Sequence, residues 1–311
     1  YPQGRLFLFY NTGTGSEAEV RNGKAMREVW YKTSVDAGLT WSSLVNITRF
    51  VSRPNHPQTN PAYNFKEDWR HYANTPGHAL QLSAGPYRGR IFVAANHSEG
   101  QPQDQGKDYL AHGFYSDDHG KSWKLSPNVA YAGSNENTAA ELANGGILLN
   151  CRNQSGDAKY RIMATSTSAG AKWDSVYVET QLPDPVCEGS MINYTTKSGQ
   201  KWLLFTNLDH QSKRENLILK VSADEGQTWR TGKVIAAGSS AYSDLVIQQD
   251  HTIGVLYEKD NYSKIVYAQI REEDLFQSAI ITHTDTWKGF ERVHFTLNEH
   301  RAYYVKPKQA L

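Results

Sequence analysis

Ser34-Val-Asp36-Ala-Gly38-Leu-Thr40-Trp41, Ser116-Asp-Asp118-His-Gly120-Lys-Ser122-Trp123 and Ser222-Ala-Asp224-Glu-Gly226-Gln-Thr228-Trp229 share the pattern S-x-D-x-G-x-[TS]-W. A fourth copy, Ser166-Thr-Ser168-Ala-Gly170-Ala-Lys172-Trp173, has lost its Asp. Each copy follows a short β-branched or aromatic run, such as Val29-Trp-Tyr-Lys-Thr33 or Leu217-Ile-Leu-Lys-Val221. An Asp-x-Gly segment after a strand reads as a hairpin turn: Asp accepts from backbone amides, Gly takes a positive φ, and Trp packs back across the hairpin. Four of the eight tryptophans sit in these copies, so the motif is a structural staple and not a catalytic one. Such units recur in radial arrays of four-stranded sheets, where each sheet buries its faces only against its neighbours. The expectation is therefore an all-β chain forming a propeller.

The remaining segments agree. Gly89-Arg-Ile-Phe-Val-Ala94, Gly145-Gly-Ile-Leu-Leu149, Lys201-Trp-Leu-Leu-Phe205 and Thr252-Ile-Gly-Val-Leu256 are short apolar runs after turn residues, and no long amphipathic helix or linker precedes about residue 275. Aromatics make up 12% of the 311 residues, in keeping with strands and with surfaces on which flat rings stack on sugars. The formal net charge of +1, from 33 basic and 32 acidic residues, argues against nucleic acid as a partner. Cys151 and Cys187 are too few for a disulfide framework and match no metal spacing, so both read as buried thiols. No apolar run reaches membrane-spanning length. The sequons Asn46-Ile-Thr48 and Asn193-Tyr-Thr195 permit glycosylation in a secreted setting. Localisation is left open, with a secreted, periplasmic or lysosome-like setting expected ahead of a cytoplasmic one.

Two hairpins carry candidate chemistry. In the first, Glu136 precedes a strand, Asn144-Gly145-Gly146 turns, and Arg152 ends the returning strand. A three-residue loop would set Ala143 opposite Ile147 and Arg152 opposite Thr138, leaving Glu136 and Arg152 on one face; a two-residue Asn-Gly turn would put them on opposite faces. In the second, Tyr242 precedes Leu245-Val-Ile247, a turn lies near Asp250-His251, and Glu258 ends the return. Both pairs are 16 positions apart. His71 and His78, seven apart on strand-like sequence, make no standard metal site and read as packing or glycan contacts.

Beyond the repeats, the chain resembles the sialidase family. The likeness is carried by Gly4-Arg-Leu-Phe-Leu-Phe-Tyr10, Trp69-Arg-His-Tyr-Ala-Asn-Thr-Pro-Gly-His78 with Ala79-Leu-Gln-Leu82, Glu188-Gly-Ser190, Ser239-Ser-Ala-Tyr-Ser-Asp-Leu245 and Leu256-Tyr-Glu258, in the family's order. It is similar to animal-type and related bacterial exo-sialidases from about residue 4 to about residue 272. The resemblance implies a six-bladed β-propeller of the sialidase type over 1–275, with N-terminal strands missing, and a linker with the start of a hydrolase- or esterase-like second domain over 276–311. It implies that Tyr242 is the nucleophile and Glu136 its general base. Arg152 and Arg214 correspond to two members of the arginine triad that binds the substrate carboxylate. Glu258 resembles the acid that orients the third arginine, and Asp68 a carboxylate at the pocket wall. The family's Arg-Ile-Pro strand, with the first arginine, and the loop carrying the acid/base Asp are not in the sequence; Arg21 and Arg27 lie against the first repeat strand and do not stand in for them.

Chemistry explains those residue types. Sialic acid bears a carboxylate on its anomeric carbon, so a carboxylate nucleophile would approach against like charge, whereas a neutral phenol would not. A phenol with an ordinary pKa of about 10 needs a base within hydrogen-bond reach, and sialidases are the glycosidases that use a Tyr nucleophile. Guanidinium is always charged and presents a planar fork of donors to a carboxylate. No metal or organic cofactor is required. The implied partners are sialylated glycoproteins, glycolipids and oligosaccharides. Rival readings are a sialoglycan-binding propeller without turnover and a structural repeat propeller for protein interaction; retention of Glu136 with Tyr242 argues against both.

Overall fold

In the computed structural model the described residues are 4–74 and 76–277, together with the backbone strands Thr284–Trp287, Phe290–Leu297 and His300–Pro307. The side chains of the expected second-domain segment, from residue 278 onward, lie outside the described residues. The fold is all-β and propeller-like: the described residues form four antiparallel sheets of three or more strands, and the longest helix among them has five residues. The chain divides into two compact units, residues 1–188 and 189–311.

The first unit holds three sheets. One is Leu6–Gly13, Arg27–Ser34 and Val45–Asn46. The next runs Trp69–Asn74, Ile91–Glu99, Tyr109–Ser116 and Lys124–Leu125, with Leu80–Gln81 also paired to Ile91–Glu99. The last is Ser134–Glu141, Ile147–Asn153, Tyr160–Ser166 and Ser175–Pro183, each strand beside its sequence neighbour. Strand Ile91–Glu99 is buried on both faces through its first eight residues. Alternation explains this, because Ile91, Val93 and Ala95 enter a core with Trp69, Tyr72, Phe114 and Trp123, while Phe92 and Ala94 enter another with Ile147, Leu149 and Ile162. In the second unit one seven-stranded sheet runs in sequence order from Ser190–Thr195 to Thr284–Trp287. Its long strand Arg230–Ile247 pairs with Glu215–Ser222 along its first part and with Ile253–Lys259 along its last.

The repeat turns are built as their residue types demand. Asp118 Oδ1 accepts from the Ser122 amide at 2.8 Å and from Ser116 Oγ at 2.8 Å, its Oδ2 accepts from Ser122 Oγ at 2.5 Å, and the Gly120 amide donates to Ser116 Oγ at 2.8 Å. Asp36 and Asp224 repeat the arrangement. His119 and Gly120 both take positive φ, 63° and 82°, a pair of left-handed residues that closes the hairpin. The decayed copy keeps the backbone: Ala169 and Gly170 are left-handed, and Ser166 Oγ still accepts from the Gly170 amide at 2.8 Å. The tryptophans diverge, with Trp123 and Trp229 buried but Trp41 exposed.

A polar chain crosses the first unit's core. Tyr72 donates its hydroxyl to the Val51 carbonyl at 2.9 Å, so it accepts from His112 Nε2 at 3.2 Å, and His112 Nδ1 in turn lies 3.1 Å from His97 Nδ1. Both imidazoles are fully buried, and Trp69 stacks on His97 at 3.4 Å. Cys151 and Cys187 are buried free thiols, and burial pushes the Cys151 thiol up to about 12.

Candidate active site

Glu136 and Arg152 meet through strand register. Ile147 pairs with Glu141 and Cys151 with Asn137, so Arg152 stands opposite Glu136 at a bulge between Cys151 and Asn153. The three-residue loop considered from the sequence closes one residue earlier, with the Leu142 amide donating to the Gly146 carbonyl at 2.9 Å and the Gly145 amide to the Leu142 carbonyl at 2.9 Å, so Arg152 faces Glu136 itself rather than Thr138. Parity is preserved, so the two side chains share a face, and Arg152 Nη1 lies 2.6 Å from Glu136 Oε2. Both are largely buried, with side-chain exposures of 12% and 15%. Glu141, the other carboxylate of that strand and so the alternative candidate for the base, sits at its far end. Its carboxylate accepts from the Ser83 amide at 2.9 Å, Ser83 Oγ at 2.6 Å and the Ala84 amide at 2.8 Å, an occupied structural cap.

A second charged cluster of the same unit, around His71 and Glu17, feels the Glu136 carboxylate through His71. Burial holds the His71 imidazole below the usual histidine range; Glu17 and Glu136 oppose this, while Arg27 and Arg21 add to it. His71 Nδ1 is 4.0 Å from Glu17 Oε1, the oxygen to which the Tyr109 hydroxyl donates at 2.6 Å. Burial, then that bond to Glu17, pushes the Tyr109 phenol well up. Arg21 is committed to Asp108, with Nη2 at 2.8 and 3.0 Å from its two oxygens. Asp68 is held by Arg70, whose Nε and Nη2 lie 3.0 and 2.9 Å from one carboxylate oxygen, while Arg70 Nη1 donates to the Arg21 carbonyl at 3.0 Å. Asp68 thereby braces Arg70 against the carbonyl of Arg21, the last residue of the short helix Glu17–Arg21. The 49 positions between Arg21 and Arg70 put that contact beyond any local reading of the sequence.

The second unit assembles Tyr242, Glu258 and Arg214. Ser243 pairs with Tyr257 and Asp244 with Leu256, which sets Tyr242 opposite Glu258 at the bulge between Ser240 and Ser243. The Tyr242 amide donates to Glu258 Oε2 at 3.1 Å. Arg214 reaches the same place: its carbonyl accepts from the Ser240 amide at 3.1 Å and its guanidinium carbon is 5.8 Å from the Tyr242 ring centre. Arg214 Nη1 donates to the Tyr262 hydroxyl at 2.9 Å. Tyr262 escaped the sequence reading because its contact spans 48 positions. Among the described residues no group of three or more His, Cys, Asp or Glu is disposed to hold a metal ion, and no helix is long and apolar enough to cross a membrane.

Residues 1–255 match the family model described as a BNR repeat-like domain. Over 234 residues the chain is 33% identical to a sialidase of Micromonospora viridifaciens, covering 73% of this chain and 33% of that protein. Over 292 residues it is 30% identical to sialidase-2 of Cricetulus griseus, covering 87% of this chain and 73% of that one. Among solved structures, the Hadza microbial sialidase Hz136 superposes with a TM-score of 0.72 at 24% identity, over 88% of this chain and 51% of its own. A leech intramolecular trans-sialidase gives 0.60 at 20% identity, over 85% and 37%. These structural likenesses establish a shared fold, and the chain spans from a third to about three quarters of the length of the proteins it matches.

Proposed function

The chain belongs to the sialidase family with BNR repeats, and from that premise we propose that it is the catalytic propeller of an exo-sialidase, a glycoside hydrolase. Its substrates would be glycoproteins, glycolipids and oligosaccharides bearing terminal α-linked sialic acid. Tyr242 Oη attacks the anomeric carbon as Glu136 takes the phenolic proton and the glycosidic C–O bond breaks, the aglycone oxygen leaving with the bonding pair and taking a proton from water. Water then attacks the tyrosyl-enzyme with net retention, losing a proton to solvent, while the departing phenolate recovers its proton from Glu136. Arg152 and Arg214 hold the substrate carboxylate, Glu258 orients the third arginine, and Asp68 lines the pocket wall. The finer architecture belongs to the same proposal: a six-bladed propeller over 1–275, with 276–311 a linker and the start of a second domain.

The observation that carries the reading is the placement of Arg214 beside Tyr242, with the Tyr242 backbone fixed on Glu258. A guanidinium next to a phenol suits a substrate whose carboxylate is attached to the attacked carbon, because one group binds the anion while the other attacks beside it without repulsion.

The test is release of fluorophore from an aryl α-sialoside by the wild-type protein and by Tyr242→Phe, with the first-formed sugar anomer read by NMR. The expected result is turnover that falls on the order of 10³-fold in Tyr242→Phe, with the α-anomer released first. A β-anomer released first would overturn the tyrosyl intermediate. Silence of the wild-type protein, with sialoglycan binding retained, would turn the reading to a binding propeller.

A further inference from the structure

We propose that Tyr262 is a positioning residue for Arg214, an inference that rests on the sialidase reading of this site. An arginine side chain carries about 2 kcal/mol of rotamer entropy, so a guanidinium that must meet a planar carboxylate edge-on gains from being aimed before the ligand arrives. Two fixed groups flank Arg214. The Tyr242 ring, 5.8 Å away, attracts but directs weakly. The Tyr262 hydroxyl, accepting from Nη1 at 2.9 Å, fixes a direction.

The backbone beneath Tyr262 indicates that this placement is imposed. Asp260, Asn261 and Tyr262 are all left-handed, with φ of 50°, 51° and 65°. Asp and Asn tolerate that region, but a bulky aromatic residue rarely occupies it. Core packing does not account for it, since Tyr262 is 59% exposed. The run is instead fastened to Ser239: the Asp260 amide donates to the Ser239 carbonyl at 3.1 Å, and the Asn261 amide to Ser239 Oγ at 3.1 Å. Ser239 Oγ returns a bond to Asn261 Oδ1 at 2.9 Å, and Lys264 closes an ion pair on Asp260. Ser240 next along holds the Arg214 carbonyl, and Tyr242 follows two residues later. One short segment, 239–242, therefore sets the strained turn, the backbone of the arginine and the candidate nucleophile together. Strain maintained in this way is characteristic of functional sites.

The experiment is a double-mutant cycle on the protein that hydrolyses the aryl α-sialoside, with kcat and KM measured separately and thermal melting as the check on folding. Tyr262→Phe keeps the ring and the turn and removes only the acceptor. The expected result is a KM raised about fivefold with kcat within about twofold, the signature of lost ground-state and transition-state binding in equal measure. In an Arg214→Ala background the same substitution leaves KM unchanged, because nothing remains to be aimed. Independent, additive effects of the two substitutions, or a silent Tyr262→Phe beside an impaired Arg214→Ala, overturn the inference while leaving the sialidase reading intact. A wild-type protein that neither turns over the sialoside nor binds free N-acetylneuraminic acid overturns both.

Discussion

Glu136→Gln tests the proposed base and can be worked through from the structure. Gln preserves the shape and one acceptor oxygen, so what is lost is the charge that faces Arg152 at 2.6 Å. Breaking a fully buried pair costs about 3–5 kcal/mol and an exposed pair under about 1 kcal/mol. With side chains 15% and 12% exposed, this pair falls between those limits, at about 2 kcal/mol. That corresponds to a melting temperature lower by roughly 4–8 °C. Loss of a general base lowers kcat by about 10²–10⁴-fold, well beyond what a small loss of stability could produce. Glu141→Gln serves as the comparator. It removes a carboxylate that accepts from Ser83 and Ala84 and so loses stability, while its kcat stays within about threefold because Glu141 sits at the far end of the strand. Initial rates on an aryl α-sialoside and a melting curve for each variant give both readings. If Glu136→Gln kept its kcat within tenfold, or if Glu141→Gln fell as far, the assignment of the base would be refuted.

Two further outcomes concern stability. Hydrogen bonds to Ser122 and Ser116 outweigh burial and hold the Asp118 carboxyl at about 2, below its ordinary range. A depressed carboxylate stabilises the fold above its unfolded pKa of about 4 and loses that contribution as pH falls towards 2. Asp118→Ala should therefore cost about 1 kcal/mol at neutral pH, the site being solvent-accessible, and should flatten the denaturant midpoint between pH 4 and 2; an unchanged midpoint would show that the turn holds without its Asp. Burial lowers His112 to about 3 and His97 well below its usual value. The unfolded chain then binds more protons than the folded one as pH falls from about 6.5, and stability should drop by about 2 kcal/mol for His112 alone between pH 7 and 5. Midpoints measured by denaturant titration across that range check this, and a flat profile would refute the neutral buried pair.

The turns, the all-β class and the spacing of the two hairpins were legible in the sequence because the forces that set them act over a few residues. Ser116, Asp118, Gly120 and Ser122 bond to one another across four positions, so their identities alone specify the turn. The pairings of Glu136 with Arg152 and of Tyr242 with Glu258 were half legible. Strand alternation allowed them to share a face, but loop length and a bulge decided which residue stands opposite which. The packing partners were settled only in three dimensions. Glu141 is occupied by a turn 58 residues away, Arg21 by Asp108 at a separation of 87, and Arg214 by a tyrosine 48 positions on. Those contacts depend on which strands become neighbours and how their rims align, and that depends on burial summed over whole sheets, not on any short pattern a sequence displays.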